Sequence, residues 1–266
     1  MAALDSVEAS AAYDTLPIAD NSSIGGMNLR INGSTYAPVT VMDLAAPGTW
    51  SYMYRPNINS YDPMYVGPGT SFAAPTGAAG VAMLRDAFVE RGWSWAGPRD
   101  LMAAMLLMGD GFHEIAGGYR AVGLDRGSGA GRMKMHYPSS QDLVAPWNWG
   151  IREFQMLPGQ VVVFPLADYG PKPASVTQLK VAMTFKEADY TNAADIDLKI
   201  YSNCGGTPEW LAQDTLRDIH SRVVLSQSSI TGKCTEAHVE AYYIPPGQSR
   251  TVNVSYYYHS GSTVDH

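Results

Sequence analysis

Residues 69–75 of the 266-residue chain read Gly-Thr-Ser-Phe-Ala-Ala-Pro, and small and apolar residues at helical spacing follow them. Pro75 fits the first turn of a helix, so the pattern predicts a helix that begins near Ser71. Ser71 would then lie where unpaired backbone N–H groups and the helix dipole favour negative charge. Gly69 permits a sharp turn ahead of Thr70 and Ser71. The backbone N–H of Ser71 could therefore be one donor of an oxyanion hole.

A plainer interpretation of the same stretch is a small-residue turn followed by a buried helix. Serine is common at helix N-caps, so Gly-Thr-Ser alone would say little. The seven-residue string is a far more specific signal, because it leads directly into a helix rich in glycine and alanine.

The segments on either side of this motif alternate between strand and helix signals. Val39–Leu44 is a candidate strand, and the loop signal Ala46-Pro47-Gly48 ends it. A second helix is predicted from Pro98 to Met108, with proline at its start and Gly109 at its end.

The last part of the chain has the pattern of an all-β domain. Six predicted strands are separated by clusters of Pro, Gly, Asn and Asp: 160–166, 178–185, 196–201, 222–226, 238–244 and 250–258. Val252, Val254 and Tyr256 alternate with polar or larger residues, which is the period of a half-buried strand. The pattern predicts a β-sandwich after a boundary between residues 138 and 158.

With these motifs in place, the chain resembles the subtilisin-like (subtilase) serine endopeptidases over about residues 15–135. The family surrounds its nucleophilic serine with Gly-Thr-Ser-(Met/Phe)-Ala-(Ala/Ser)-Pro, which residues 69–75 match. Residues 43–48, 98–108 and 127–132 resemble the family's Ala-Pro-Gly strand end, its next helix and its Gly-rich closing segment. The resemblance implies that Ser71 attacks the scissile carbonyl, that Gly69 and Thr70 border the substrate, and that the substrate is a polypeptide.

The partners that would activate Ser71 are not found ahead of it. A serine hydroxyl is a weak nucleophile until a base removes its proton, and in subtilisin the triad order is Asp, His, Ser. All six histidines follow Ser71. We expect the aspartate and histidine to come from an upstream or separate segment, and the chain alone to be inactive. Of the later histidines, His113 is expected to be an exposed loop residue.

Residues 158–258 resemble the β-sandwich appendages of many secreted subtilases. The resemblance implies that Cys204 and Cys234 tie two loops of the sandwich together; two cysteines in one late segment also suit a disulfide, the alternative being two buried thiols. Tyrosines at positions 242, 243 and 256–258 could form a face that binds protein or glycan, or could pack on alternate faces of strands. The acidic pairs Asp195/Asp197 and Glu187/Asp189 lack EF-hand spacing and are interpreted as solvated strand ends.

Composition and charge exclude some classes of function. The net charge is −7, and Lys and Arg are scattered without a basic stripe, which argues against nucleic-acid binding. No apolar run approaches the roughly 20 residues of a membrane span. No metal site or cofactor is predicted, and nothing in this sequence indicates a structural calcium ion. A low content of charged residues, 16%, is typical of exported proteins, so a secreted or extracytoplasmic location is expected.

Together these features predict an α/β part over 1–140, a partial doubly wound subtilisin-like sheet, followed by a jelly-roll-like all-β sandwich over 158–266. The predicted function is that of a serine endopeptidase acting through an acyl-enzyme on Ser71. The alternative is a non-catalytic, protease-like module whose sandwich binds a protein or a glycan.

Overall fold

The computed structural model describes residues 2–4, 27–39, 45–47, 51–54, 64–67, 70–94, 97–110, 123–124, 129–133, 149–167, 170–187 and 189–260. Within these ranges the protein is mostly β, with two four-stranded antiparallel sheets and few helices.

The first part of the chain contributes short strands and two helices. Its strands are β1 (Ala2–Leu4), β2 (Met27–Ile31), β3 (Ser34–Val39), β4 (Ala45–Pro47), β5 (Ser51–Tyr54) and β6 (Met64–Gly67). The elements that follow are α1 (Thr70–Glu90), α2 (Pro98–Leu107), β7 (Gly109–Asp110) and β8 (Arg132–Met133). A small sheet has the order β1-β4-β8-β7, with β4 parallel to both of its neighbours.

The two helices agree with the helices predicted from sequence, with one correction. Helix α1 begins at Thr70, so Pro75 lies inside the helix rather than in its first turn. Proline has no backbone N–H, and the carbonyl of Ser71 therefore lacks the usual donor four residues on. Helix α2 begins at Pro98, as predicted, and ends at Leu107.

The rest of the chain forms the two large sheets. Their strands are β9 (Trp149–Met156), β10 (Val161–Pro165), β11 (Val176–Phe185), β12 (Asp195–Ser202), β13 (Glu209–Asp214), β14 (His220–Ser226), β15 (Thr235–Tyr243) and β16 (Arg250–Ser260), with the short helix α3 (Gln227–Ile230) after β14. One sheet has the order β10-β15-β12-β13 and the other β14-β11-β16-β9. All six strands predicted from sequence are present. Strands β9 and β13 are not among the six predicted.

One core joins the inner faces of the two sheets. Alternate residues of β11 and β16, such as Val181, Met183, Val252 and Val254, are fully buried there. They meet Leu198 and other apolar residues of the opposite sheet. This shared core makes the two sheets a sandwich, and β9 extends it to residue 149, ahead of the predicted start at residue 158. The division of the chain into domains stays a prediction.

A second core lies on the outer face of the β14-β11-β16-β9 sheet, where α1 and α2 cover it. Phe88 of α1 packs against Trp149 of β9, with ring centroids 5.9 Å apart, and Trp149 packs on Tyr257 of β16. The Ser255 hydroxyl donates to the carbonyl oxygen of Ala103 at 2.7 Å. The helices and the sandwich are therefore joined by both apolar packing and hydrogen bonds.

Candidate active site

Ser71 is the second residue of α1, and its side chain is exposed. The first four N–H groups of a helix have no intrahelical acceptor, and the N–H of Ser71 is one of them. The positive end of the helix dipole lies at the same place. The Ser71 hydroxyl is thus exposed beside a backbone N–H at the positive end of the helix. Thr70, the first residue of the helix, is half-buried, and Gly69 lies outside the described residues.

The orientation of α1 follows from a stripe of small and apolar residues. Ala73, Gly77, Gly80, Leu84 and Phe88 are buried, and they recur every three or four residues along one face. Helix α1 lies against β1 and β4, where residues without large side chains permit close approach. This packing fixes the start of the helix and holds Ser71 on its exposed side.

Of the strand predicted at Val39–Leu44, only Val39 is described, at the end of β3, and the prediction that Ala46-Pro47 forms a loop is wrong because these residues pair in a strand. Ala45–Pro47 forms β4, and Ala46 is fully buried. Of the other positions in the motif at 43–48, residues 43, 44 and 48 lie outside the described residues. The Gly-rich segment 127–132 is described from residue 129 onwards, where β8 pairs with β4.

Three of the six histidines are described, and their hydrogen bonds go to residues other than Ser71. His220 Nδ1 bonds to Thr184 Oγ1 at 2.8 Å, His238 Nε2 to Glu236 at 2.7 Å, and His259 Nδ1 to Tyr257 at 3.1 Å. His113, His136 and His266 lie outside the described residues. Within the described residues, none of these three imidazoles is hydrogen-bonded to the Ser71 hydroxyl.

Cys204 and Cys234 form a disulfide, which confirms the predicted pairing. The bond joins the loop after β12 to the segment just before β15. The backbone N–H of Asn203 donates to the carbonyl of Cys234 at 2.7 Å beside it. The bridge therefore closes one end of the β10-β15-β12-β13 sheet.

The interpretation of the acidic pairs as solvated strand ends is wrong for three of the four residues. Asp195 is buried and Asp197 half-buried because they lie in the paired strand β12, and Glu187 is buried where its carboxylate pairs with Arg250. Arg217 lies 3.5 Å from Asp195. Burial, with the charge of Asp195, raises the pKa of Asp197 to about 6. Among the described residues, no group of three or more His, Cys, Asp or Glu is placed to hold a metal ion.

The tyrosines do not form a shared exposed face. Tyr256 and Tyr258 are buried in the core of the sandwich, and Tyr257 is buried beneath the helices. Only Tyr242 of the five is largely exposed, at 72%. Packing on alternate faces of β16 is therefore correct, and an exposed tyrosine surface at 256–258 is wrong.

Comparisons with known proteins identify no family. A scan against protein-family models finds no match, and a search of curated proteins finds none either. Among solved structures, the chain is similar to PliG of Aeromonas hydrophila, a periplasmic lysozyme inhibitor of g-type lysozyme. The identity is 7%, the TM-score is 0.28, and the alignment covers 42% of this chain and 87% of PliG. In the described part of the chain, no helix combines the length and apolar character that crossing a bilayer requires.

Proposed function

We propose that this chain is the C-terminal segment of a subtilisin-like serine endopeptidase in which Ser71 is the nucleophile. The observation that carries the proposal is the exposed Ser71 at the second position of α1, inside a seven-residue match to the family's serine motif. A hydroxyl at this position lies beside a backbone N–H of the first helical turn, which has no acceptor within the helix, and Ser71 faces solvent, where a polypeptide can reach it.

The reaction follows from that arrangement. A histidine removes the proton of Ser71 Oγ as the oxygen attacks the scissile carbonyl carbon. The N–H of Ser71 donates to the carbonyl oxygen as it becomes negative. The protonated histidine then gives its proton to the leaving amine, which departs and leaves an acyl-enzyme. Water hydrolyses this ester and restores the hydroxyl. The histidine and its aspartate come from an upstream or separate segment.

The disulfide supports an extracytoplasmic location, because such bonds persist in oxidising compartments. In this proposal the two antiparallel sheets are a jelly-roll-like appendage of the protease.

A non-catalytic module is the competing function. It is favoured by the hydrogen bonds of His220 and His238, which go to Thr184 and Glu236 rather than to Ser71. In that case Ser71 would be an ordinary exposed residue at the start of a helix.

Peptide hydrolysis by the product of the whole open reading frame separates the two functions. We expect cleavage of an internally quenched peptide and a fall in kcat of at least about a thousandfold for Ser71→Ala. Ser94→Ala is the matched control, since Ser94 is also exposed and lies after the end of α1, and it should retain full activity. Equal activity in Ser71→Ala and the wild type would overturn the proposal.

A further inference from the structure

A cleft of about 380 Å³ lies between the first turn of α2 and the end of the β14-β11-β16-β9 sheet. Its size falls within the range of about 300–1,000 Å³ that small-molecule sites occupy. Among the described residues that line it, none belongs to α1. It is therefore distinct from the exposed serine described above.

The accessible lining of the cleft is mostly apolar, with cations among the exposed lining residues. Met102 of α2, Phe185 at the end of β11 and Ile219 contribute apolar surface. Arg99 and Lys186 also line it, and both are exposed. An apolar lining with positive groups is complementary to a ligand that has an apolar body and an anionic group.

Carboxylates lie near these cations: Arg99 interacts electrostatically with Asp100 as well as with Glu153. Glu187 also lines the cleft, but its carboxylate is held by Arg250 through two hydrogen bonds of 2.7 and 3.0 Å. Arg99 lies 3.6 Å from Glu153, and both side chains are about half exposed. Such exposed pairs are weak, so a ligand carboxylate can compete for the guanidinium.

Strand pairing adds a row of polar residues to the lining. Thr184 lies opposite His220 on one side and Asn253 on the other, and all three are buried. The Asn253 amide donates through Nδ2 to Asp100 at 2.9 Å and to Glu153 at 3.2 Å. Since both neighbours are acceptors, the amide orientation is fixed. Asn253 Oδ1 is buried, and within the described part of the chain it has no hydrogen-bond partner.

We propose that this cleft binds the C-terminal residue of a polypeptide. The apolar side chain of that residue packs against Met102, Phe185 and Ile219. Its carboxylate lies at Arg99 and Lys186, and its backbone N–H donates to Asn253 Oδ1 after a small shift of the surrounding side chains. Peptide hydrolysis produces new C-termini of this kind, but the binding itself does not require Ser71.

A fatty acid shares the apolar body and the carboxylate. It lacks the N–H that Asn253 Oδ1 would accept, which is why the peptide terminus is the better fit. Small ligands that differ in one group at a time can distinguish a peptide C-terminus from a fatty acid.

The test is titration of the full chain with N-acetyl-phenylalanine, followed by backbone-amide NMR shifts at the cleft residues. We expect saturable binding in the millimolar range or tighter. N-acetyl-phenylalanine amide, which lacks the charge, should bind about fivefold more weakly. 3-Phenylpropionate, which lacks the N–H, should also bind about fivefold more weakly, because the buried acceptor stays unpaired. Equal or tighter binding of 3-phenylpropionate would overturn the peptide terminus in favour of a simple fatty-acid-like ligand.

Variants show whether the binding is at the cleft. The double variant Arg99→Gln/Lys186→Gln changes two exposed side chains, so the fold should be retained. It should bind N-acetyl-phenylalanine no more tightly than N-acetyl-phenylalanine amide. Arg91→Gln, which replaces an exposed arginine that does not line the cleft, should leave the preference for the acid over the amide unchanged. Ser71→Ala should bind all three ligands like the wild type, so a failure of the proposed catalytic role does not affect this result. Absence of shifts at the cleft residues, or an acid preference that persists in the double variant, would overturn the proposal.

Discussion

Arg250 and Glu187 form a buried ion pair with two hydrogen bonds, from Nε to Oε2 at 3.0 Å and from Nη2 to Oε1 at 2.7 Å. Oε2 also accepts the backbone N–H of Ala194 at 2.8 Å. The pair therefore ties the loop that precedes β12 to the first residue of β16, although 63 positions separate the two residues in sequence.

Arg250→Met should lower the free energy of unfolding by about 3 kcal/mol, because the Glu187 carboxylate stays buried without its partner. Urea denaturation measures this loss. Arg85→Met removes an ion pair with Asp86 whose side chains are both more than half exposed, and it should cost less than about 0.5 kcal/mol. Equal losses in the two variants would show that the Arg250 pair is no more important than a surface pair.

The disulfide should contribute about 3 kcal/mol, since it closes a loop across a sequence separation of 30. Reduction of the wild type is expected to lower the urea midpoint. The double variant Cys204→Ser/Cys234→Ser should have the lower urea midpoint both with and without reductant. A wild-type midpoint that stays unchanged on reduction, with free thiols verified by mass spectrometry, would contradict this.

The predictability of the fold differs between its strands. The alternation of Val252, Val254 and Tyr256 with polar residues marks the face of β16 that enters the core of the sandwich. The prediction that β16 is half-buried is nevertheless wrong, because the helices bury its other face, including Ser255 and Tyr257. Strand β9 has three buried residues in succession, starting at Trp149, because helices cover its outer face. Strand β13 is an edge strand whose residues are mostly exposed or half-buried. Neither strand has the simple period that sequence analysis relies on.

The two candidate sites also differ in how far the sequence predicts them. Ser71 could be found from sequence because the residues that define its position are consecutive. The cleft could not, since Thr184, His220 and Asn253 come from three strands and meet only through their pairing. Whether a polar residue in a strand faces a covering helix or water depends on packing that the strand's own sequence does not specify.

His220 should make stability depend on pH. Burial lowers its pKa to about 4, whereas the unfolded chain has a histidine pKa of about 6.5. The unfolded state binds the proton first, so stability is lost as the pH falls from about 6.5 towards 4. Relative to His220→Gln, the wild type should lose up to about 3 kcal/mol over this range. If the free energy of unfolding changed equally with pH in the two proteins between pH 6.5 and 4, the His220 imidazole would not be buried in its neutral form.

Asp197 should have the opposite effect on the pH dependence of stability: it should stabilise the fold at low pH and destabilise it at high pH. Its pKa is raised to about 6, mainly by burial, so the folded state holds the proton more tightly than the unfolded state does. The stability that this provides is present below about pH 4 and is lost as the pH rises through about 6. Asp197→Asn should therefore be more stable than the wild type at pH 7, by about 1 kcal/mol after solvent screening, and similar at pH 3.5. A variant that is less stable at pH 7 would show that the carboxylate is stabilised when charged.

Labelling of Ser71 by a fluorophosphonate tests the central claim most directly, because the reagent reacts with an activated serine and not with an ordinary hydroxyl. The measurement is mass spectrometry of the labelled product of the whole open reading frame. We expect the label on the peptide that contains Ser71, its loss in Ser71→Ala and its retention in Ser94→Ala. An unlabelled Ser71 in a folded, full-length product would contradict a catalytic serine and leave the protein as a non-catalytic binding module.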